Sequence, residues 1–266
     1  MIRSLLTALL LLTSPAWAAP IDDAAAAYVR GDYAAVLRII RPLAAKGEAW
    51  AQSNLGFMYS KGQGVEKNDA EAVKWFRLAA TQRDALGQSN LGLVYANGQG
   101  VVQDYAEAVK WYRLAAAQGN ALGQHNLGLM YAGGKGVLQN YAEAVKWYRL
   151  AAAQGFAEAQ FNLGFMYDNG QGVVQDYAEA VKWYRLAAAQ GLAKAQSNIG
   201  AMYGKGQGVP MDDVRAHMWF NLAALKGNAK AVQNRDIIAK LMTPQQMAEA
   251  QKLARECQAR DLKGCE

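Results

Sequence analysis

Cysteine and histidine are scarce in this chain of 266 residues, with two of each. Both cysteines, Cys257 and Cys265, stand at the far C-terminal end, which excludes a disulfide-dense scaffold. His125 and His217 have no cysteine or carboxylate at a metal-ligand spacing, so neither zinc nor any other metal or cofactor is expected. Beyond the first dozen residues no apolar run reaches the roughly 18 residues a membrane helix needs. Positive charge is in slight excess, at a formal +6. Lysine and arginine recur at the same helical positions instead of clustering with aromatics that could stack on bases, so nucleic-acid binding is not expected.

The N-terminus is the exception to this evenness. Met1 to Leu12 carries one charge, Arg3, and a leucine run, and Ala16-Trp17-Ala18 offers a small-x-small cleavage pattern. A signal peptide over residues 1–18, cleaved after Ala18, is therefore expected. Cleavage would leave 248 residues with a formal charge of +5 and no transmembrane segment. No cysteine follows the cleavage region, so lipid attachment is not indicated.

What fills the rest is repetition. Sixteen residues from Asp104, DYAEAVKWYRLAAAQG, return unchanged at Asp176 to Gly191 and with one change at Asn140 to Gly155. Trp75, Trp111, Trp147, Trp183 and Trp219 keep a period of 36, as do Asn54, Asn90, Asn126, Asn162, Asn198 and Asn234. Such a period belongs to solenoids, whose units bury their apolar faces against one another. The expected fold is all-α: five repeats over 48–227 (48–83, 84–119, 120–155, 156–191 and 192–227), with capping helices over 19–47 and 228–266. Ile21 to Arg30 and Tyr33 to Lys46 form the opening cap. At the other end Asn228 to Leu241 starts a sixth unit without a glycine turn, and Thr243-Pro244 starts a last helix ending near Arg260.

Each repeat reads as helix, glycine turn, helix. Asp104 with Glu107, Asn140 with Glu143 and Asp176 with Glu179 suit an N-cap residue and a carboxylate reaching back to free backbone donors. Gly119, Gly155, Gly191 and Gly227 suit left-handed helix ends. The turns, such as Gly98-Gln99-Gly100-Val101, follow a helix and not a strand and lack the spacing of a phosphate loop. They are read as structural, with the valine buried.

The unit at Ala157 to Gly191 resembles the Sel-one-like repeat, a longer-period relative of the tetratricopeptide repeat, over about four fifths of the mature chain. The resemblance implies a right-handed superhelix, with first helices lining a concave surface and an adaptor role rather than catalysis. It extends to exported relatives associated with penicillin binding and β-lactamase activity, yet the chain contains neither Ser-x-x-Lys nor Lys-Thr-Gly. No catalytic residues are expected. The seven residues between Cys257 and Cys265 resemble the within-unit cysteine pairs of cysteine-rich members. With the export signal, that spacing implies a disulfide, which requires the last helix to stop before Cys265.

A binding face is expected where first helices vary from repeat to repeat while their scaffold does not. One row is Trp50, Leu86, Leu122, Glu158 and Lys194, and the next is Ser53, Ser89, His125, Phe161 and Ser197. A third is Phe57, Leu93, Leu129, Phe165 and Ala201, which could instead be core between units, and a fourth includes Asp168. Spacings of three, four and three put these rows on one helical face. Large apolar side chains among them suit an interface. The repeated tryptophans are read as core, and the Glu-Lys-Arg triplets, such as Glu107, Lys110 and Arg113, as a solvated outer face. The chain is thus expected to be an exported, periplasmic or secreted, monomeric scaffold that binds a protein or peptide. A narrower version is an inhibitor or immunity protein for a secreted effector. An adaptor for peptidoglycan or host surface proteins is the alternative, and a β-lactam hydrolase the least favoured reading.

Overall fold

A computed structural model describes residues 15–260, 262, 264 and 265, with the side chains of residues 15–19 excepted. Residues 1–14 of the expected leader lie outside the described residues. The chain forms two compact units, one ending at Gln139 and one beginning at Asn140. The first holds α1 (Pro15–Val29), α2 (Tyr33–Ala45), α3 (Ala49–Lys61), α4 (Asp69–Thr81), α5 (Ala85–Asn97), α6 (Tyr105–Ala117) and α7 (Ala121–Gly133). The second holds α8 (Tyr141–Ala153), α9 (Ala157–Asn169), α10 (Tyr177–Ala189), α11 (Ala193–Lys205), α12 (Asp213–Ala224), α13 (Ala229–Ala239) and α14 (Pro244–Ala259). No strand occurs among the described residues. Within each unit each helix packs on the next in sequence, except that α14 packs back on α12, and first helices of neighbouring repeats, such as α3 and α5, also touch.

Second helices start on a side-chain cap. Asp104 Oδ1 accepts from the Glu107 amide at 2.9 Å, and Asp176 Oδ1 from that of Glu179 at 3.0 Å. The carboxylate at the third position does not reach back as the sequence suggests. The amide it would meet is already taken: Asp104 N–H donates to the Tyr95 carbonyl at 2.9 Å, fixing the end of the turn to the first helix. Glu107 turns outward and accepts from Trp111 Nε1 at 3.0 Å and Lys110 Nζ at 2.7 Å. The reciprocal capping box forms at α14, between Thr243 and Gln246.

The glycine turn is a packing device. Gly98 and Gly100 take φ of 68° and 72°, and a Cβ on Gly100 would lie 2.5 Å from the Asp69 carbonyl oxygen at the start of α4. The valine that follows is half-buried, not buried. Val65, for example, packs on the cluster built by α1, α2 and α3.

The most deeply buried aromatics are not the tryptophans. Phe76, Tyr112, Tyr148, Tyr184 and Phe220, each one residue later, are at most 3% exposed, whereas Trp75, Trp111, Trp147 and Trp183 are half-buried. A Cβ on Gly92 would stand 2.6 Å from the Tyr112 ring, so the glycine lets the first helix close onto the second. The tryptophans instead pack backwards: Trp75 covers the α1–α3 cluster, and Trp111 covers the cluster of Phe76 and Leu91. Trp219, in the last repeat, is fully buried.

A ladder of glutamines, the inner one of each pair buried and the outer one exposed, ties the two helices of a repeat together. Gln82 Nε2 donates to Gln52 Oε1 at 2.8 Å, Gln118 to Gln88 at 2.7 Å and Gln190 to Gln160 at 2.9 Å. Each inner glutamine also gives its amide to a carbonyl of the preceding helix, as Gln88 does to Ala80 at 3.2 Å. Paired in this way the buried amides are satisfied, which is the condition for polar groups in a core.

Candidate partner-binding face

In the first unit the first row lies open. Trp50, Leu86 and Leu122 are half-buried at the N-terminal ends of α3, α5 and α7. The third row lies on the same stripe about two turns on: Phe57 and Leu93 are half-buried and Leu129 is 38% exposed. An apolar face therefore runs along three consecutive first helices of one unit. Lys61 sits over the Phe57 ring, 5.8 Å from its centroid.

The second row does not belong to that face. Ser53 and Ser89 are fully buried and His125 nearly so. The Ser53 hydroxyl donates to Asp84 Oδ1, and the Ser89 hydroxyl to Asn120 Oδ1 at 2.7 Å. Asp84 and Asn120 are the N-caps of α5 and α7, accepting from the Gly87 and Gly123 amides at 2.6 and 2.8 Å. At these two junctions the row is turned to the cap of the next repeat and not to solvent. Burial raises the Asp84 pKa, against the hydrogen bonds from Ser53, Gly87 and Leu86 that lower it. Burial also pushes the His125 pKa down to about 4, its hydrogen bond with Asn126 opposing.

The position between the first and third rows is the repeated asparagine, four residues after the first row and three before the third. Asn54 Nδ2 donates to the Trp50 carbonyl at 2.7 Å. Asn90 and Asn126 are 6% and 7% exposed, and the Nδ2 of each is buried with no hydrogen-bond partner. An unpaired buried amide is costly and rare, so two at the same register need an explanation. Variation could not find these residues, since they do not vary. The available signal was a polar side chain held fixed between two apolar rows.

In the second unit the same stripe is more polar. Glu158 is half-buried, Lys194 is exposed and Phe165 is 41% exposed. Phe161, of the second row, turns into the core and meets the Tyr184 ring at 5.7 Å between centroids. Asp168 accepts from the Tyr184 hydroxyl at 3.1 Å, and burial raises its pKa, with Lys205 and that hydrogen bond opposing.

In the first unit the apolar rows and the asparagines between them offer neither nucleophile nor base. No group of three or more His, Cys, Asp or Glu that could hold a metal occurs among the described residues. Nor, among these residues, is any helix long and apolar enough to cross a membrane. At the C-terminus Cys257 and Cys265 form a disulfide with a Cα separation of 5.3 Å. The helix ends at Ala259, and Leu262, at φ 65°, returns its amide to the Cys257 carbonyl at 3.0 Å, turning the chain back.

The chain matches the Sel1 repeat profile over residues 51–84, 85–120, 121–156, 157–192 and 193–228. Among solved structures, a Sel1 repeat protein from Oxalobacter formigenes is 34% identical, over 91% of this chain and 95% of that one, with a TM-score of 0.74. Two immunity proteins from Pseudomonas aeruginosa share the fold. One is 21% identical over 88% of this chain and 86% of its own, with a TM-score of 0.54. The other is 19% identical over 87% and 84%, with a TM-score of 0.51. No curated protein matches the chain significantly. Five contiguous repeats of matching length, bearing the glycine turns and caps described above, make this chain a member of the Sel1 repeat family of α-solenoid scaffolds.

Proposed function

We propose that the face built from α3, α5 and α7 binds an extended segment of a partner polypeptide, and that the protein does so after export to an oxidising compartment, the periplasm or beyond. The observation that carries this reading is the pair of unpartnered Asn90 and Asn126 amides flanked by Leu86, Leu93, Leu122 and Leu129. Apolar rows supply burial for alternate side chains of a ligand. The Nδ2 atoms between them are covered in the free protein but give up no internal hydrogen bond on turning outward, so they can supply donors for its backbone carbonyls, which any sequence presents. Carbohydrate or peptidoglycan would call for a denser set of polar groups than two leucine rows provide. The leader pattern and the disulfide support export, because such bonds persist outside reducing compartments.

The test is capture of partners from envelope extract by the mature protein, identified by mass spectrometry, beside a Leu93→Ala/Leu129→Ala variant and an Asn90→Ala variant. A partner retained by the parent and lost from both variants at unchanged melting temperature supports the face. Equal capture by all three overturns it. Whether that partner is a secreted effector, as an immunity role requires, is read from the same identification.

A further inference from the structure

The end of the second unit departs from its own repeat at one spot. His217 stands where the other second helices bury Val73, Val109, Val145 and Val181. Arg235 takes the register of Leu55, Leu91, Leu127, Leu163 and Ile199, which fill the core, and Asn221 takes that of Arg185. Two polar replacements of core residues and one exchange of arginine for asparagine, at unrelated positions of the repeat, converge on one cavity of about 360 Å³. Its remaining polar wall is Gln251, Arg255 and Gln258 of α14, a helix held at its end by the disulfide.

His217 is 4% exposed, and its Nδ1 has no hydrogen-bond partner. Burial and the neighbouring Arg235 charge lower its pKa, with Asp236 opposing, so the imidazole is neutral near pH 7. Arg235 gives Nε and Nη2 to Asp236 Oδ1 at 3.0 and 2.9 Å and points Nη1 at Asn221 Oδ1, 3.5 Å away. Its charge is thereby balanced. Arg255 has no ion-pair partner among the described residues. The cavity thus holds one uncompensated guanidinium, three side-chain amides and a neutral imidazole short of a partner.

We propose that this cavity binds a single carboxylate, carried on a small molecule or on the C-terminal residue of a peptide. A planar guanidinium matches a carboxylate with two parallel hydrogen bonds, and the amides and imidazole can hold the group to which it is attached. Arg255 stands at the exposed mouth of the cavity and His217 at its buried end, so the one net positive charge suits a monoanion that enters from solvent. The site is separate from the face proposed above, and either can fail without the other.

The chain has two histidines, so side-chain nitrogen NMR of the mature, oxidised protein can watch His217 directly, with buried His125 as an internal control. The probes are acetate, N-acetylglycine, N-acetylglycinamide and inorganic phosphate. The expected result is a saturable shift of the His217 resonances with N-acetylglycine, none with its amide, and none at His125. Arg255→Ala should weaken that binding about tenfold or more. Arg260→Ala, on the same stretch but ion-paired to Glu256, should leave it unchanged. Equal response to acetate assigns the site to free small carboxylates, and response to N-acetylglycine alone assigns it to chain termini. No saturable shift with either carboxylate overturns the proposal. Equal response to the amide, preference for phosphate, or indifference to Arg255→Ala in a folded variant does so as well.

Discussion

The hydroxyl of Ser89 donates to the side chain of Asn120 at 2.7 Å across 31 residues of sequence, and Ser53 stands in the same relation to Asp84. One bond therefore does two things: it orients the cap that starts the next first helix, and it closes the repeat junction over a buried hydroxyl.

Asp84 differs from Asn120 in carrying a charge that the junction does not favour. Burial raises its pKa, so the folded state holds the proton more tightly than the unfolded chain does. That contribution is present at low pH and lost as pH rises through the folded pKa. Asp84→Asn keeps both hydrogen bonds without the charge and should leave the urea midpoint equal or higher at pH 7. Asp84→Ala should lower stability by about 1 kcal/mol, the value of a lost cap. A clear loss in the asparagine variant would contradict this account.

Tyr112 should matter more than the tryptophan beside it. Its ring is 1% exposed against Gly92, whereas Trp111 is half-buried. Tyr112→Ala is expected to cost about 3–5 kcal/mol and Trp111→Ala distinctly less. Tyr112→Phe should be nearly neutral, as Phe76 and Phe220 fill the equivalent sites. Chemical denaturation of the three variants checks the order.

His125 makes stability depend on pH in a defined window. Its folded pKa, about 4, lies below the ordinary value of 6.5. Stability should be full above pH 6.5 and decline toward pH 4 as the unfolded chain takes up a proton that the folded one refuses. The decline amounts to on the order of 2 to 3 kcal/mol. His125→Ser, the residue that Ser89 supplies one repeat earlier, should remove this component. If the pH profile is unchanged in that variant, the histidine is not its source.

The glutamine ladder breaks at its last rung. Lys226 occupies the place of Gln82, Gln118 and Gln190, and Gln196 Oε1 is left buried without a donor. Lys226→Gln should restore the pair and raise stability by about 1 kcal/mol. Thermal melting of that variant, beside a Gln190→Ala variant that breaks an intact rung, reads the effect in both directions.

The helices, their caps and their ends were legible because the interactions that set them are local. An aspartate or asparagine at the head of an apolar-periodic run and a glycine where the chain must turn left act within one unit and state its form directly, whereas the glutamate three residues after the cap misled, because the amide it would meet is bonded to the first helix. The deep aromatic was harder, since tryptophan and tyrosine are adjacent in every second helix and only the approach of the first helix at Gly92 decides which ring it covers. The open face was half legible. Trp50, Leu86, Leu122 and the row of Phe57 were placed on it by helical spacing alone, but Ser53, Ser89 and His125 were assigned to the same side. A step of one residue turns a helix by about 100°, and whether that step meets solvent or the next repeat depends on a cap some thirty residues away. Long-range packing alone left Asn90 and Asn126 without acceptors and drew His217, Arg235 and Arg255 around one cavity.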